Sequence, residues 1–166
     1  MSKRSIRLKE FLPNLNKAYT PTEDYLKNAK LQLNEIYLMR TNSEGNQYSI
    51  WRRESENKIY IIGASSIESI YIRFSMRPHC VLEKMLLENG YDYSVYNLGF
   101  SGGQTLNIVN QIVNKLGDKT GSKVVVSIPS NDYHVLTLEK NYYSDDWRSA
   151  SILPADNKKP KRAAKI

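Results

Sequence analysis

A chain of 166 residues, 40% hydrophobic and 25% charged, holds enough apolar sequence for one globular domain and too much for a disordered segment. No apolar run approaches the ~20 residues of a bilayer span, and the opening MSKRSIRLKEFLPNLN lacks the apolar stretch of a secretory signal, so a cytoplasmic location is expected. The net charge of +7 sits at the ends: residues 1–10 contribute +3 and residues 157–166 contribute +5, leaving residues 11–156 at −1. Solvated ends explain that distribution more simply than nucleic-acid binding does. Cys80 is the only cysteine, which excludes an internal disulfide.

In chain order, TPTEDYLKNAKLQL begins a helix over about 21–34, with Thr20 as N-cap, Pro21 at the first helical position and Glu23 closing a capping box. IYLMR reads as a short strand or as that helix continuing, and TNSEGN is a turn. From residue 58 the pattern is regular. KIYIIG is a buried strand, SIESIYIRFSM a helix, and PHCVLEKMLLENG a second helix with Gly90 at its C-terminal cap. YSVYNLG is a second strand. TLNIVNQIVNKLG is an amphipathic helix expected to turn Leu106, Val109, Ile112, Val113 and Leu116 inward, and KVVVSIPSND is a third strand. Alternating strands and helices predict an α/β fold with a parallel sheet. The chain divides into a lead-in over 1–57, the α/β domain over 58–150 and a basic flexible tail over 151–166.

Each strand ends in a turn of small polar residues: GASS at 63–66, GFSGG at 99–103 and PSND at 129–132. In a parallel sheet these ends share one edge, where open α/β folds bind ligands. Ser65, Ser66, Ser101, Gly102, Asn131 and Asp132 are thereby brought together. A serine at a strand-to-helix turn presents its hydroxyl and a free N–H. The glycines at 102 and 103 leave an N–H open to close approach, and an asparagine amide adds a third donor. Three such donors compose an oxyanion hole for acyl transfer.

IIGASSIES, NLGFSGG with Thr105, and SIPSND together resemble the first three blocks of the SGNH hydrolases, the GDSL esterase and lipase family. Gly63-Ala64-Ser65 stands where that family has Gly-Asp-Ser, so the resemblance makes Ser65 the nucleophile. Asn97, Gly99, Ser101 and Gly102 match the second block, with Gly102 as an oxyanion donor. Pro129-Ser130-Asn131-Asp132 matches the third, with Asn131 as another. The resemblance spans about residues 58–135. It implies a three-layer α/β/α, flavodoxin-like domain. It also implies hydrolysis of a small-molecule or polysaccharide ester, or acyl transfer between carbohydrates, with no metal or organic cofactor.

The family's fourth block, Asp-x-x-His, has no match. His79 and His134 are the only histidines, preceded at the third position back by Met76 and Asn131. About 100 residues follow Ser65, room for three strands where the resembled fold uses five, so the domain is expected to stop after the third. Without the triad histidine a serine hydrolase keeps only ~10³–10⁴ of its acceleration over water. The rivals are therefore a non-catalytic ester- or carbohydrate-binding protein and, less favoured, nucleic-acid binding through the basic ends. Ser65 also suits a plain N-cap role. A phosphate cradle at GFSGG is disfavoured because it lacks the G-x-G-x-x-G spacing. His79 and His134 read as ordinary histidines, Cys80 as a helix core residue, and Tyr142, Tyr143 and Trp147 as packing residues before sugar stackers. Asp145 and Asp146 read as a solvated pair.

Overall fold

The apolar runs between residues 58 and 126 become strands because each is short, rich in β-branched and aromatic residues and bounded by turn formers. The computed structural model describes residues 4–6, 9–28, 36–51, 54–134, 136–137 and 152–154. Its N-terminal elements are β1 (Arg4–Ile6), β2 (Asn16–Tyr19), α1 (Glu23–Asn28), β3 (Tyr37–Arg40) and β4 (Gln47–Tyr48). There follow β5 (Lys58–Ile62), α2 (Ser65–Glu68), α3 (Pro78–Glu88), β6 (Ser94–Asn97), α4 (Thr105–Lys115), β7 (Lys123–Val126), α5 (Asn131–His134) and β8 (Ile152–Pro154).

β5 lies between β6 and β7 and runs parallel to both, so these three strands are ordered second, first, third. Flavodoxin-like sheets have that order, with their ligand crevice between the first and third strands. Ile108 of α4 and Leu116 pack on one face against Tyr60, Ile62 and Leu98. Ile67 of α2 with Leu82 and Leu86 of α3 pack on the other against Ile59, Ile61 and Val95. The protein is thus a mixed α/β structure with a parallel sheet between two helical layers, as expected. β4 adds an antiparallel strand outside β6. Beside it the outward Val95 N–H donates to the Glu83 carboxylate at 2.7 Å, which caps that part of the edge.

Several local expectations are corrected. α1 is capped by Thr22, not Thr20: the Thr22 hydroxyl accepts from the Tyr25 N–H at 3.3 Å. Residues 29–35 of the expected helix lie outside the described residues. IYLMR is a strand, β3, paired antiparallel with β2. The helix expected over SIESIYIRFSM ends after one turn, because Ser69 takes a left-handed conformation at φ 51°. A 3-10 turn at Phe74–Met76 then leads into α3.

The buried face of α4 also differs from its apolar stripe. Ile108, Asn107 and Gln111 are buried, whereas Val109 is 50% and Val113 65% exposed and Ile112 lies near the surface. Asn107 is held in the capping box with Gln104, and Gln111 donates to the Lys9 carbonyl at 2.8 Å. Polar side chains with partners can therefore take the inner positions. β7 likewise is not buried: Val124, Val125 and Val126 are 41%, 49% and 44% exposed. It has β5 on one side, and among the described residues no strand on the other.

The lead-in packs on the α/β layers. The Phe11 and Phe100 rings meet at 4.9 Å, and Lys115 pairs with Glu10 at 3.2 Å. Within the expected tail, β8 pairs antiparallel with β1; residues 155–166 lie outside the described residues.

Candidate functional site

The first turn is fixed by its neighbours on both sides. The Gly63 carbonyl accepts from the Phe100 N–H at 3.2 Å, and the Ile62 carbonyl from the Ser127 N–H at 2.9 Å. A Cβ on Gly63 would stand 2.5 Å from Ile67 Cγ1 and 3.2 Å from Ser127 Cβ, so only glycine lets the strand pass into α2 here. The Ala64 carbonyl then takes the Ile67 and Glu68 N–H groups at 3.1 and 2.9 Å. Ser65 opens the helix, exposed, with its N–H among the donors that a helix start leaves unpaired.

The second turn lies directly against the first. A Cβ on Gly103 would stand 3.3 Å from the Gly63 oxygen and 3.5 Å from Ala64 Cα. Gly102 sits at φ +70°, the left-handed region that favours glycine. The Ser101 hydroxyl donates to the buried Glu68 carboxylate. The Lys9 ammonium donates to the Gly102 carbonyl.

The third turn closes on the second. Asn131 Nδ2 donates to the Gly103 carbonyl at 2.8 Å. The Asp132 carboxylate accepts from the Thr105 N–H at 2.9 Å and the Thr105 hydroxyl at 3.0 Å, at the start of α4. The turns carrying Ser65, Gly102 and Asn131 are therefore joined at one end of the sheet.

Gly99 controls how closely α2 approaches. A Cβ there would meet the Glu68 backbone nitrogen at 2.5 Å and the Ile67 carbonyl carbon at 2.8 Å, with no flexible side chain to yield. Gly99→Ala is expected to cost about 1–3 kcal/mol by overpacking and to displace α2 with Ser65. Urea unfolding measures the first effect. The rate of Ser65 modification by a fluorophosphonate measures the second, with Gly90→Ala as a control that adds only the backbone strain of alanine at φ +78°, since nothing lies within 4 Å of that position.

The histidines contribute no base among the described residues. His79 is wholly buried in α3. Its Nε2 faces the Tyr48 carbonyl at 3.2 Å, which can only accept, so Nε2 carries the proton. Nδ1 then accepts from the Asn97 amide at 3.3 Å. Burial, then the nearby Arg77 charge, push its pKa down to about 3. His79 is thus a neutral packing element with both nitrogens occupied. His134 ends α5, and its side chain lies outside the described residues. Tyr142, Tyr143, Asp145, Asp146 and Trp147 also lie outside them.

Sequence reasoning overlooked Glu68, Lys9 and Arg77. Glu68 stands three residues after Ser65 on the same helical turn, and burial raises its pKa ahead of the opposing Ser101 hydrogen bonds. Its spacing from Ser65 is a usable signal, whereas Lys9 lies 93 residues from Gly102 and gives none. Cys80 is buried as expected, and burial pushes its thiol up to about 11, away from reactivity. Among the described residues no group of three or more His, Cys, Asp or Glu could hold a metal ion. No helix there is long and apolar enough to cross a membrane. A cavity of about 830 Å³ opens elsewhere, between the Asn14–Asn16 segment, Glu56, Lys58 and Tyr96, and includes none of the three turns.

No family model matches this sequence, and no curated protein matches it. Among solved structures, the crystal structure of TesA is similar to this chain with a TM-score of 0.42 and 25% sequence identity. The similarity covers 45% of this chain and 42% of TesA, so the chain spans under half the length of that protein.

Proposed function

We propose that the joined turns form an acyl-ester site of the SGNH type. Ser65 is its nucleophile, and the Ser65 N–H, Gly102 N–H and Asn131 amide are its oxyanion donors. The observation that supports this most is the free donor at Gly102. Along Phe100–Gln104 the N–H groups of Phe100, Gly103 and Gln104 go to the Gly63 carbonyl, the Phe100 carbonyl and Asn107 Oδ1, that of Ser101 lies near the Glu68 carboxylate, and that of Gly102 meets no partner among the described residues. Among the described residues Gly102 alone in that run keeps an unclaimed N–H, and its turn touches the one that presents Ser65.

In the proposed reaction, Ser65 Oγ loses its proton to a base and attacks the ester carbonyl carbon. The carbonyl oxygen becomes the oxyanion held by the three donors. The carbon–oxygen bond to the alcohol then breaks, the alcohol leaves with a proton, and water or an acceptor hydroxyl releases the acyl group from Ser65. A carbohydrate ester is the proposed substrate, on the resemblance of the three sequence blocks. His79 cannot supply the base, since both its nitrogens are engaged inside the core. That observation favours a second reading, in which the same edge binds esters or carbohydrates without cleaving them.

Intact-mass analysis after treatment with a serine-directed fluorophosphonate separates the two. A single adduct on wild type, missing from Ser65→Ala, is expected for the ester-cleaving reading. Folded wild type that takes up no reagent refutes it and leaves the binding reading.

A further inference from the structure

Burying a charge costs several kcal/mol unless hydrogen bonds and an opposite charge compensate it. Two charged side chains are nevertheless buried at the Ser101–Gly103 turn: Lys9 is 2% exposed and Glu68 4%. Lys9 lies outside the three sequence blocks, Glu68 stands in the first without matching any of its assigned positions, and neither has a part in the proposed chemistry. Each holds one residue of the turn. Glu68 accepts from the Ser101 hydroxyl, and Lys9 donates to the Gly102 carbonyl.

We propose that Lys9 and Glu68 are positioning residues that clamp this turn from opposite sides and so aim the Gly102 N–H at the acyl-binding edge, an inference that rests on the ester reading above. Two adjacent glycines have more backbone freedom than any other pair, so an oxyanion donor on the first of them needs external restraint to be ready before the substrate arrives. Holding the Ser101 side chain and the Gly102 carbonyl restrains the backbone on either side of the Ser101–Gly102 peptide, which carries the Gly102 N–H. Among the described residues the Gly102 N–H meets no hydrogen-bond partner in that arrangement.

Lys9 can act as a fixed anchor because its own segment is tied down. Gln111 of α4 donates to its carbonyl at 2.8 Å, and Phe11 packs on Phe100 at 4.9 Å, one residue before the turn. The lead-in therefore contributes to the site although the nucleophile and donors all lie beyond residue 58.

The test uses the full chain with Lys9→Met, which keeps length and loses charge, and Ser101→Ala, which removes the hydroxyl that bonds Glu68. The first readout is the fluorophosphonate reaction at Ser65, resolved into a maximal rate and a half-saturating concentration. Losing one oxyanion donor outright lowers rate about 10²–10³-fold. A misaimed donor is therefore expected to lower the maximal rate at least about tenfold and leave half-saturation unchanged.

The second readout needs no activity. The Gly102 and Gly103 amide NMR signals should shift and lose heteronuclear NOE in each variant, while those of Gly90 and Gly121 stay in place. Folded Lys9→Met with wild-type rate and unmoved Gly102 and Gly103 signals overturns the clamp, even if its melting temperature falls. If Lys9→Met does not fold, the same outcomes in Ser101→Ala decide the matter. If wild type never reacts, the ester reading falls, and the glycine signals still show whether Lys9 restrains the turn.

Discussion

Arg77→Met is expected to lower the free energy of unfolding by about 3–5 kcal/mol, the range seen when one partner of a buried charged network is removed. Arg77 has no exposed surface. Its Nε donates to the Ile72 carbonyl at 3.2 Å, Nη2 to the Ile70 carbonyl at 3.0 Å and Nη1 to Gln47 Oε1 at 3.3 Å. The guanidinium also lies 5.1 Å from the centre of the Phe74 ring. Methionine fills much of that volume but donates nothing. Gln47 Nε2 is already buried without a partner among the described residues, so the variant leaves the whole amide unpaired. Glu68 loses a nearby positive charge that favours its ionised form.

The lost bonds to Ile70 and Ile72 fall on the segment between α2 and α3, where the chain leaves helical geometry at Ser69 and must satisfy its carbonyls by other means. Urea unfolding followed by circular dichroism measures the change. With m of about 1–3 kcal/mol/M for a domain of this size, the midpoint should fall by more than 1 M. A shift below about 0.3 M would mean that water or neighbouring donors replace the guanidinium without loss. Arg77→Lys should recover only part of the stability, since an ammonium cannot reach three acceptors set out for a planar fork.

The same segment shows where sequence pattern stops being informative. β5, β6 and β7 are legible because their apolar runs are short and end in turn formers. α3 is legible because Pro78 opens it and Gly90 follows its end at φ +78°. SIESIYIRFSM carries a helical spacing of apolar residues, yet Arg77 binds the Ile70 and Ile72 carbonyls from outside and makes a non-helical path affordable. α4 misleads for a related reason. Its apolar stripe, Val109 and Val113 above all, faces outward, while Gln111 turns inward to the Lys9 carbonyl, 102 residues away in sequence. Periodicity reports which residues prefer burial, not which neighbours are there to bury them.

Buried charges were the least legible feature. Glu68, Glu83 and Arg77 look like solvent-facing residues in a helical reading, and each is fixed by a contact outside its own helix. Glu83 accepts from the Ser49 hydroxyl and the Val95 N–H. The candidate site was more legible than its support, because serine, glycine and asparagine at strand ends have few other uses in combination. Ser65, Gly102 and Asn131 could be named from local pattern and their three turns meet, whereas the lead-in that reaches the second turn left no local mark.

Acid should destabilise the fold through His79. Its pKa of about 3 in the folded chain lies below the ordinary value of 6.5, because burial and the neighbouring Arg77 disfavour the imidazolium. The unfolded chain therefore binds the proton first as pH falls. The stability gained from a neutral His79 is fully present above about pH 6.5, declines below it and is exhausted near pH 3. The decline approaches 1.36 kcal/mol per pH unit in the middle of that window and totals about 3–5 kcal/mol, a large share of the 5–15 kcal/mol typical of a domain. Glu68 opposes it, since its raised pKa lets the folded form take up a proton ahead of the unfolded one. That gain appears as pH falls through the folded Glu68 value toward 4.5. Stability should consequently fall as pH drops below about 6.5. His79→Gln isolates the cause: it lacks the titrating nitrogen, so its curve should show no decline between pH 6.5 and 5 from a lower starting value. Urea midpoints at half-unit pH intervals give both curves. If wild type and His79→Gln decline in parallel, the acid sensitivity arises from another group, and His79 is not held neutral by the contacts described.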